Sequence, residues 1–140
     1  MRKLTTALAA TILLAVAAAG ASPAAPFDGV WTTVVACSAS AGALPYSYEF
    51  NSTVSQGVLH GERGIKGAPG WLRVDGRISA DGSAALAAHG LVGKEWAATG
   101  HLPPGTPYKY RIEAKFSGDS GNGGRVSGRA CKISFSKTAQ

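Results

Sequence analysis

Tyr108-Lys109-Tyr110-Arg111-Ile112-Glu113-Ala114-Lys115-Phe116 alternates without a break between apolar or aromatic residues and charged ones. Tyr108, Tyr110, Ile112, Ala114 and Phe116 fall on one face. Lys109, Arg111, Glu113 and Lys115 fall on the other. A period of two sends successive side chains to opposite sides of a strand, so this stretch is a strand with one buried and one wet face. Tyr46 to Val54 repeats the arrangement, with Tyr46, Tyr48, Phe50 and Val54 inward and Ser47, Glu49, Asn51 and Thr53 outward. Trp71 to Ile78 places Leu72, Val74 and Ile78 inside and Arg73, Asp75 and Arg77 outside.

Further strands follow from the same reading. Asp81-Gly82 marks a hairpin turn, and the Ala-rich run Ser83 to Val92 returns from it. Val58 to Gly64 is a shorter strand after a turn at Gln56-Gly57. Phe27 to Cys37 opens the folded part, with strong β propensity from Thr32, Thr33, Val34 and Val35. Gly124 to Lys137 closes it, and Lys94 to His101 has room for one more short strand. Ser117 to Gly124 holds no apolar residue and reads as a loop. Leu102 to Pro107 is excluded from a central strand, because proline removes ladder donors.

These pieces predict an all-β fold, an antiparallel up-and-down meander of seven or eight strands. Gly61, Gly76, Gly90 and Gly128 interrupt the strands, as the bends of a curling sheet require. Cys37 and Cys131 form an even pair and are expected to make a disulfide between the first and last strands. Those strands are neighbours in a closed meander, so a closed barrel is favoured. The alternative is a two-sheet β-sandwich.

Residues 1–21 are expected to be a cleavable signal peptide. Arg2 and Lys3 provide the positive start. The apolar run from Ala7 to Ala19 is too short for the roughly 20 residues of a spanning helix. Ala19-Gly20-Ala21 offers the small-x-small cleavage site. Residues 22–26 form a leader, and 27–140 a single barrel domain. The expected setting is therefore the bacterial periplasm or the outside of the cell, with no transmembrane segment left after cleavage. Removing Arg2 and Lys3 from fourteen basic residues leaves twelve against eight acidic ones, a net charge of about +4. No basic cluster accompanies it, so nucleic acid is not an expected partner. A monomer is expected.

Phe27-Asp28-Gly29-Val30-Trp31 resembles the start of lipocalin-like barrels, where a Gly-x-Trp on the first strand seals one end. Avidin-like barrels also open with a Gly-x-Trp strand, and their meander is of similar length. The resemblance implies a calycin-type barrel with a basic residue of the last strand packed over Trp31. Arg129, near the start of that strand, is the residue it implies. The aromatic biotin site of the avidins is not evident in this chain.

Chemistry is sparse. No Gly-x-Ser-x-Gly elbow surrounds a serine, and the carboxylates fall mostly on outward faces, so no catalytic residue and no cofactor are expected; a small metal-dependent or hydrolytic enzyme is the third alternative and would need the histidines and carboxylates to converge. His60, Glu62 and His89 are the nearest approach to a zinc set. They show no ligand spacing, and no metal is expected. Asn51-Ser52-Thr53 is a formal glycosylation sequon on an outward face.

The aromatics are the stronger lead. An eight-stranded barrel either fills with side chains or encloses one small ligand. Tyr46, Tyr48, Phe50, Tyr108 and Tyr110 are therefore expected to line a site for a small apolar or amphipathic ligand at the barrel mouth. The segment from Gly93 to Pro107 would be its lid. Small residues of the Ala-rich strand, Ala84, Leu86 and Ala88 or else Ala85, Ala87 and His89, would leave the space. A second expectation assigns Trp71, Arg73 and Arg77 to an outer surface that meets another exported protein or an envelope polymer.

Overall fold

A computed structural model of the chain describes residues 25–138. The expected signal peptide, and the leader up to residue 24, lie outside the described residues. Eight strands follow in order: β1 (Gly29–Cys37), β2 (Tyr46–Ser55), β3 (Val58–Arg63), β4 (Leu72–Ile78), β5 (Ser83–Leu91), β6 (Pro107–Ser117), β7 (Ser120–Arg125) and β8 (Cys131–Lys137). Each pairs antiparallel with the next, and β8 pairs with β1, so the meander closes into a barrel. The sandwich alternative is thereby excluded. Among the described residues, no helix is long and apolar enough to cross a membrane.

Closure is sealed where the chain order requires it. Cys37 and Cys131 stand directly opposite each other on β1 and β8, with Cα atoms 4.0 Å apart, and form a disulfide. The bond joins residues 94 positions apart. Tying first strand to last over so long a loop removes much of the unfolded chain's freedom.

The two ends of the barrel differ. At one end the connections are tight. Gln56 and Gly57 both have positive φ, at 51° and 74°, the geometry of the two-residue hairpin turn whose twist matches the strands. The Asp28 carboxylate accepts hydrogen bonds from both turn amides, at 2.9 and 3.2 Å. Those bonds hold its carboxyl below the usual carboxylate range. This end is packed solid. Trp31 is fully buried, its indole N–H donates to the Phe27 carbonyl at 2.9 Å, and its ring meets Phe116 edge-on at 5.2 Å. Phe116 in turn packs on Phe135 at 4.7 Å. Deeper in, Leu59, Val74, Ile112 and Ile133 complete the core. Inside it Thr33 and Ser52 satisfy each other's hydroxyls at 2.7 Å.

The other end carries the long connections, residues 38–45, 64–71, 92–106 and 126–130. It is called the mouth below.

Three sequence expectations require correction. Ser117 to Gly124 is not all loop, because β7 occupies Ser120–Arg125 between β6 and β8. Its inward positions are glycine for a packing reason. A Cβ at Gly121 would stand 2.9 Å from the Phe116 ring, and one at Gly123 2.4 Å from the Glu113 carbonyl. Accordingly the closing segment is two strands, with Gly124 and Arg125 ending β7 and β8 beginning at Cys131. Lys94 to His101 contains no strand. It makes a short 3-10 turn at Glu95–Ala97, which tucks Ala97 and Ala98 inward over the mouth.

The residue over Trp31 also differs from expectation. It is Lys137, whose Nζ lies 5.9 Å from the ring centre, and not Arg129. Antiparallel pairing decides this. The start of β8 lies beside the end of β1, so Trp31, near the beginning of β1, faces Lys137 in register. Arg129 sits at the opposite end, over Tyr46.

Candidate functional site

The mouth holds a cavity of about 290 Å³ that opens to solvent. Four tyrosines form its walls. Tyr46 and Tyr48 come from β2, with ring centres 4.9 Å apart. Tyr108 and Tyr110 come from β6 and stack nearly parallel, 6.2 Å apart. Alternation on each strand turns all four inward at the mouth end, as the sequence predicts. Phe50 continues the same face of β2 one step deeper. It is buried in the core and does not line the cavity.

The alanine strand does not leave the expected space: Ala84, Leu86 and Ala88 are buried in the core, and neither they nor Ala85, Ala87 and His89 line the cavity. Ala84, Leu86 and Ala88 are the inward set of β5, and Gly90 follows on the same face. Gly90 pairs with Tyr108 in register, and a Cβ there would stand 2.4 Å from the tyrosine's Cζ. The missing side chain lets the Tyr108 ring lie across the strand. The lid comes from the segment after β5, where Ala97, Ala98 and Leu102 close over the rings.

Cations interleave with the tyrosines. The Arg63 guanidinium lies 3.8 Å from the Tyr48 ring centre, Arg125 4.6 Å from Tyr110, and Arg129 5.0 Å from Tyr46. Guanidinium groups over aromatic faces are held by the ring quadrupole. Arg129 is buried and clamps the mouth together. Its Nε donates to the Ser38 carbonyl at 2.6 Å, Nη1 to Ala97 at 2.5 Å and Nη2 to Leu44 at 2.6 Å. One side chain thus joins the 38–45 connection, the lid and the β7–β8 connection. Arg125, Arg129 and Lys94 line the cavity, and none of the residues lining it is acidic.

Burial sets the state of the hydroxyls. Desolvation raises Tyr46, Tyr108 and Tyr110 above the ordinary tyrosine range, and neighbouring tyrosines push the same way. All three are therefore neutral O–H donors at physiological pH. The Tyr110 hydroxyl is buried and has no hydrogen-bond partner among the described residues. A buried polar atom left unpaired is costly and calls for a physical reason.

Sequence reading missed Arg63, Arg125 and Lys94 as site residues. For the two arginines a signal was present. Arg63 continues the inward series Leu59 and Gly61, and Arg125 continues Gly121 and Gly123. Apolar side chains are also concentrated here. Among the described residues, the exposed large hydrophobics of the mouth connections are Leu44, Ile65, Trp96, Leu102 and Val126, and only Val30 and Val58 lie elsewhere.

The second expected surface lies on the outer wall. Trp71 is half-buried, and its indole N–H donates to Glu62 Oε1 at 2.6 Å. Arg73 Nε is 2.6 Å from Asp75 Oδ2, and Asp75 also bonds His60. Arg77 is exposed beyond them. His60 approaches Glu62 at 3.7 Å, whereas His89 stands a strand further on, with Arg73 between it and Glu62 in the ladder. His60 therefore pairs with carboxylates instead of joining His89. Among the described residues no three His, Cys, Asp or Glu side chains converge as a metal site.

No protein-family model, curated protein or solved structure matches the chain, so its likeness to calycin-type barrels is one of strand architecture.

Proposed function

We propose that this protein is an exported carrier that binds one small amphipathic ligand in the barrel mouth and performs no chemistry on it. The supporting observation is the asymmetry of the interior. One end is packed solid by Trp31, Phe116 and Phe135, while the other keeps a cavity of about 290 Å³ walled by four tyrosines. Concave, mostly apolar sites with a few convergent polar groups are how proteins hold small ligands. The rings provide apolar contact, and their neutral hydroxyls provide donors. The exposed apolar residues around the opening give an apolar ligand a favourable approach. Export accords with the Cys37–Cys131 disulfide, which persists in an oxidising compartment.

The test is extraction of the mature protein, purified from its own host, with organic solvent and mass analysis of what is released. A small amphipathic compound in near-stoichiometric amount is the expected result. Extracts indistinguishable from those of a Tyr108→Ala/Tyr110→Ala variant would remove the basis of the reading.

A further inference from the structure

We infer that the ligand is an amphipathic anion: an apolar or aromatic body bearing one carboxylate, sulfonate or phosphate group, with Arg125, Arg129 and the Tyr110 hydroxyl receiving that group. This rests on the carrier reading above and gives the occupant a chemical class.

Three features of the mouth converge on a negative charge. The first is Arg129. The residue is only 9% exposed and its guanidinium donates to three carbonyl oxygens, yet no carboxylate lies within 4 Å of it among the described residues. Carbonyls satisfy hydrogen bonds but do not neutralise a charge, and a buried cation without a counter-charge is unfavourable. Two of its five N–H groups remain beyond the three in use.

The second is Arg125. Its Nε donates to the Ser127 carbonyl at 2.6 Å, which leaves the Nη groups without a partner among the described residues. The fork is held over Tyr110 at the cavity wall. A fixed guanidinium fork suits a planar or tetrahedral oxyanion. The third is the Tyr110 hydroxyl, buried, neutral and unpartnered, on the ring over which that fork lies. It is a donor, and an anionic oxygen is the acceptor that completes it.

The rest of the lining agrees. Lys94 adds a further cation, none of the lining residues is acidic, and Glu95 of the lid turn is exposed outside the lining. The neighbouring carboxylates Glu49 and Glu113 are on the outer faces of β2 and β6. A neutral apolar ligand would leave the buried charge of Arg129 uncompensated. An amphipathic anion would neutralise it and still cover the tyrosine rings.

The test uses two fluorescent probes that share a body and differ in charge. 1-Anilinonaphthalene-8-sulfonate carries a sulfonate, and N-phenyl-1-naphthylamine does not. Both are titrated into the mature oxidised protein at low salt. A charged hydrogen bond gained by the sulfonate makes its Kd at least about tenfold lower than that of the neutral probe. Arg125→Gln is expected to remove most of that ratio, and Arg125→Lys to restore part of it. Equal affinity for the two probes, or a ratio that survives Arg125→Gln, overturns the anion assignment and leaves the carrier reading standing. If neither probe binds, both fall. The ratio measured on the unsubstituted protein decides the matter even if a variant fails to fold.

Discussion

Replacing Arg129 with Met should loosen the mouth without dismantling the barrel. The side chain keeps much of its length but loses three hydrogen bonds, to Ser38, Ala97 and Leu44. The Ala97 bond is buried, so its carbonyl would lose its partner away from water, at about 1.5–3 kcal/mol. The other two are partly buried and can recover water, at about 0.5–1.5 kcal/mol each. Relief from burying an unpaired cation works in the opposite direction. The net expectation is a loss of about 2–4 kcal/mol. With a urea slope of about 1.5 kcal/mol/M, the unfolding midpoint should fall by roughly 2 M. Arg129→Lys should recover little of this, since one ammonium group cannot span three divergent carbonyls. Hydrogen exchange locates the effect. The Leu44 amide, bonded to the Trp96 carbonyl across the lid, should exchange faster, while the Val34 and Ser134 amides of the β1–β8 ladder should not. A midpoint shift below about 0.5 M, or unchanged protection at Leu44, would refute the clamp.

Three other predictions concern the seam, the tyrosine wall and pH. Reducing the Cys37–Cys131 bond, or replacing both cysteines with Ala, should cost about 2–5 kcal/mol in urea unfolding, because the closed loop is long. Gly90→Ala should displace Tyr108, since the new Cβ would stand 2.4 Å from its ring; a loss of about 1–3 kcal/mol and weaker probe binding should follow together. Tyr108 and Tyr110 have folded-state values raised above their ordinary value of 10.0 by burial. The folded protein therefore keeps protons that the unfolded chain releases, and stability that is complete below pH 10 should decline as pH rises beyond it. Absorbance at 295 nm, followed against urea stability between pH 9 and about 11.5, measures this. Four tyrosines titrating together near pH 10 with no loss of stability would contradict it.

The barrel was legible where one face is apolar and the other charged. β2, β4 and β6 declare themselves by alternation, and Cys37 with Cys131 announces which strands meet. β7 was illegible because its inward residues are glycines chosen for what they leave free beside Phe116 and Glu113, and a glycine carries no apolar signal. The tyrosine wall was readable from the same alternation. The arginines were not read, because Arg63 and Arg125 stand at strand ends, where a charge looks like the edge of the sheet. Only the closed barrel shows that Arg125 lines the cavity and that Arg63 lies over Tyr48 at its wall. The placement of Arg129 required the β1–β8 register, which reverses the end of the barrel at which it lies. The lid turn at Glu95–Ala97 has too few residues for a helical period to appear.

The most direct measurement is native mass spectrometry of the mature protein and an Ala98→Trp variant, purified side by side from the original host. Ala98 is a buried lid residue that lines the cavity, so an indole there fills the mouth while the packed end at Trp31 is untouched. The prediction is an added small-molecule mass on the unsubstituted protein and the bare polypeptide mass for the variant, with the disulfide intact in both. The same added mass on both would place the ligand elsewhere, and bare masses for both would contradict the carrier reading.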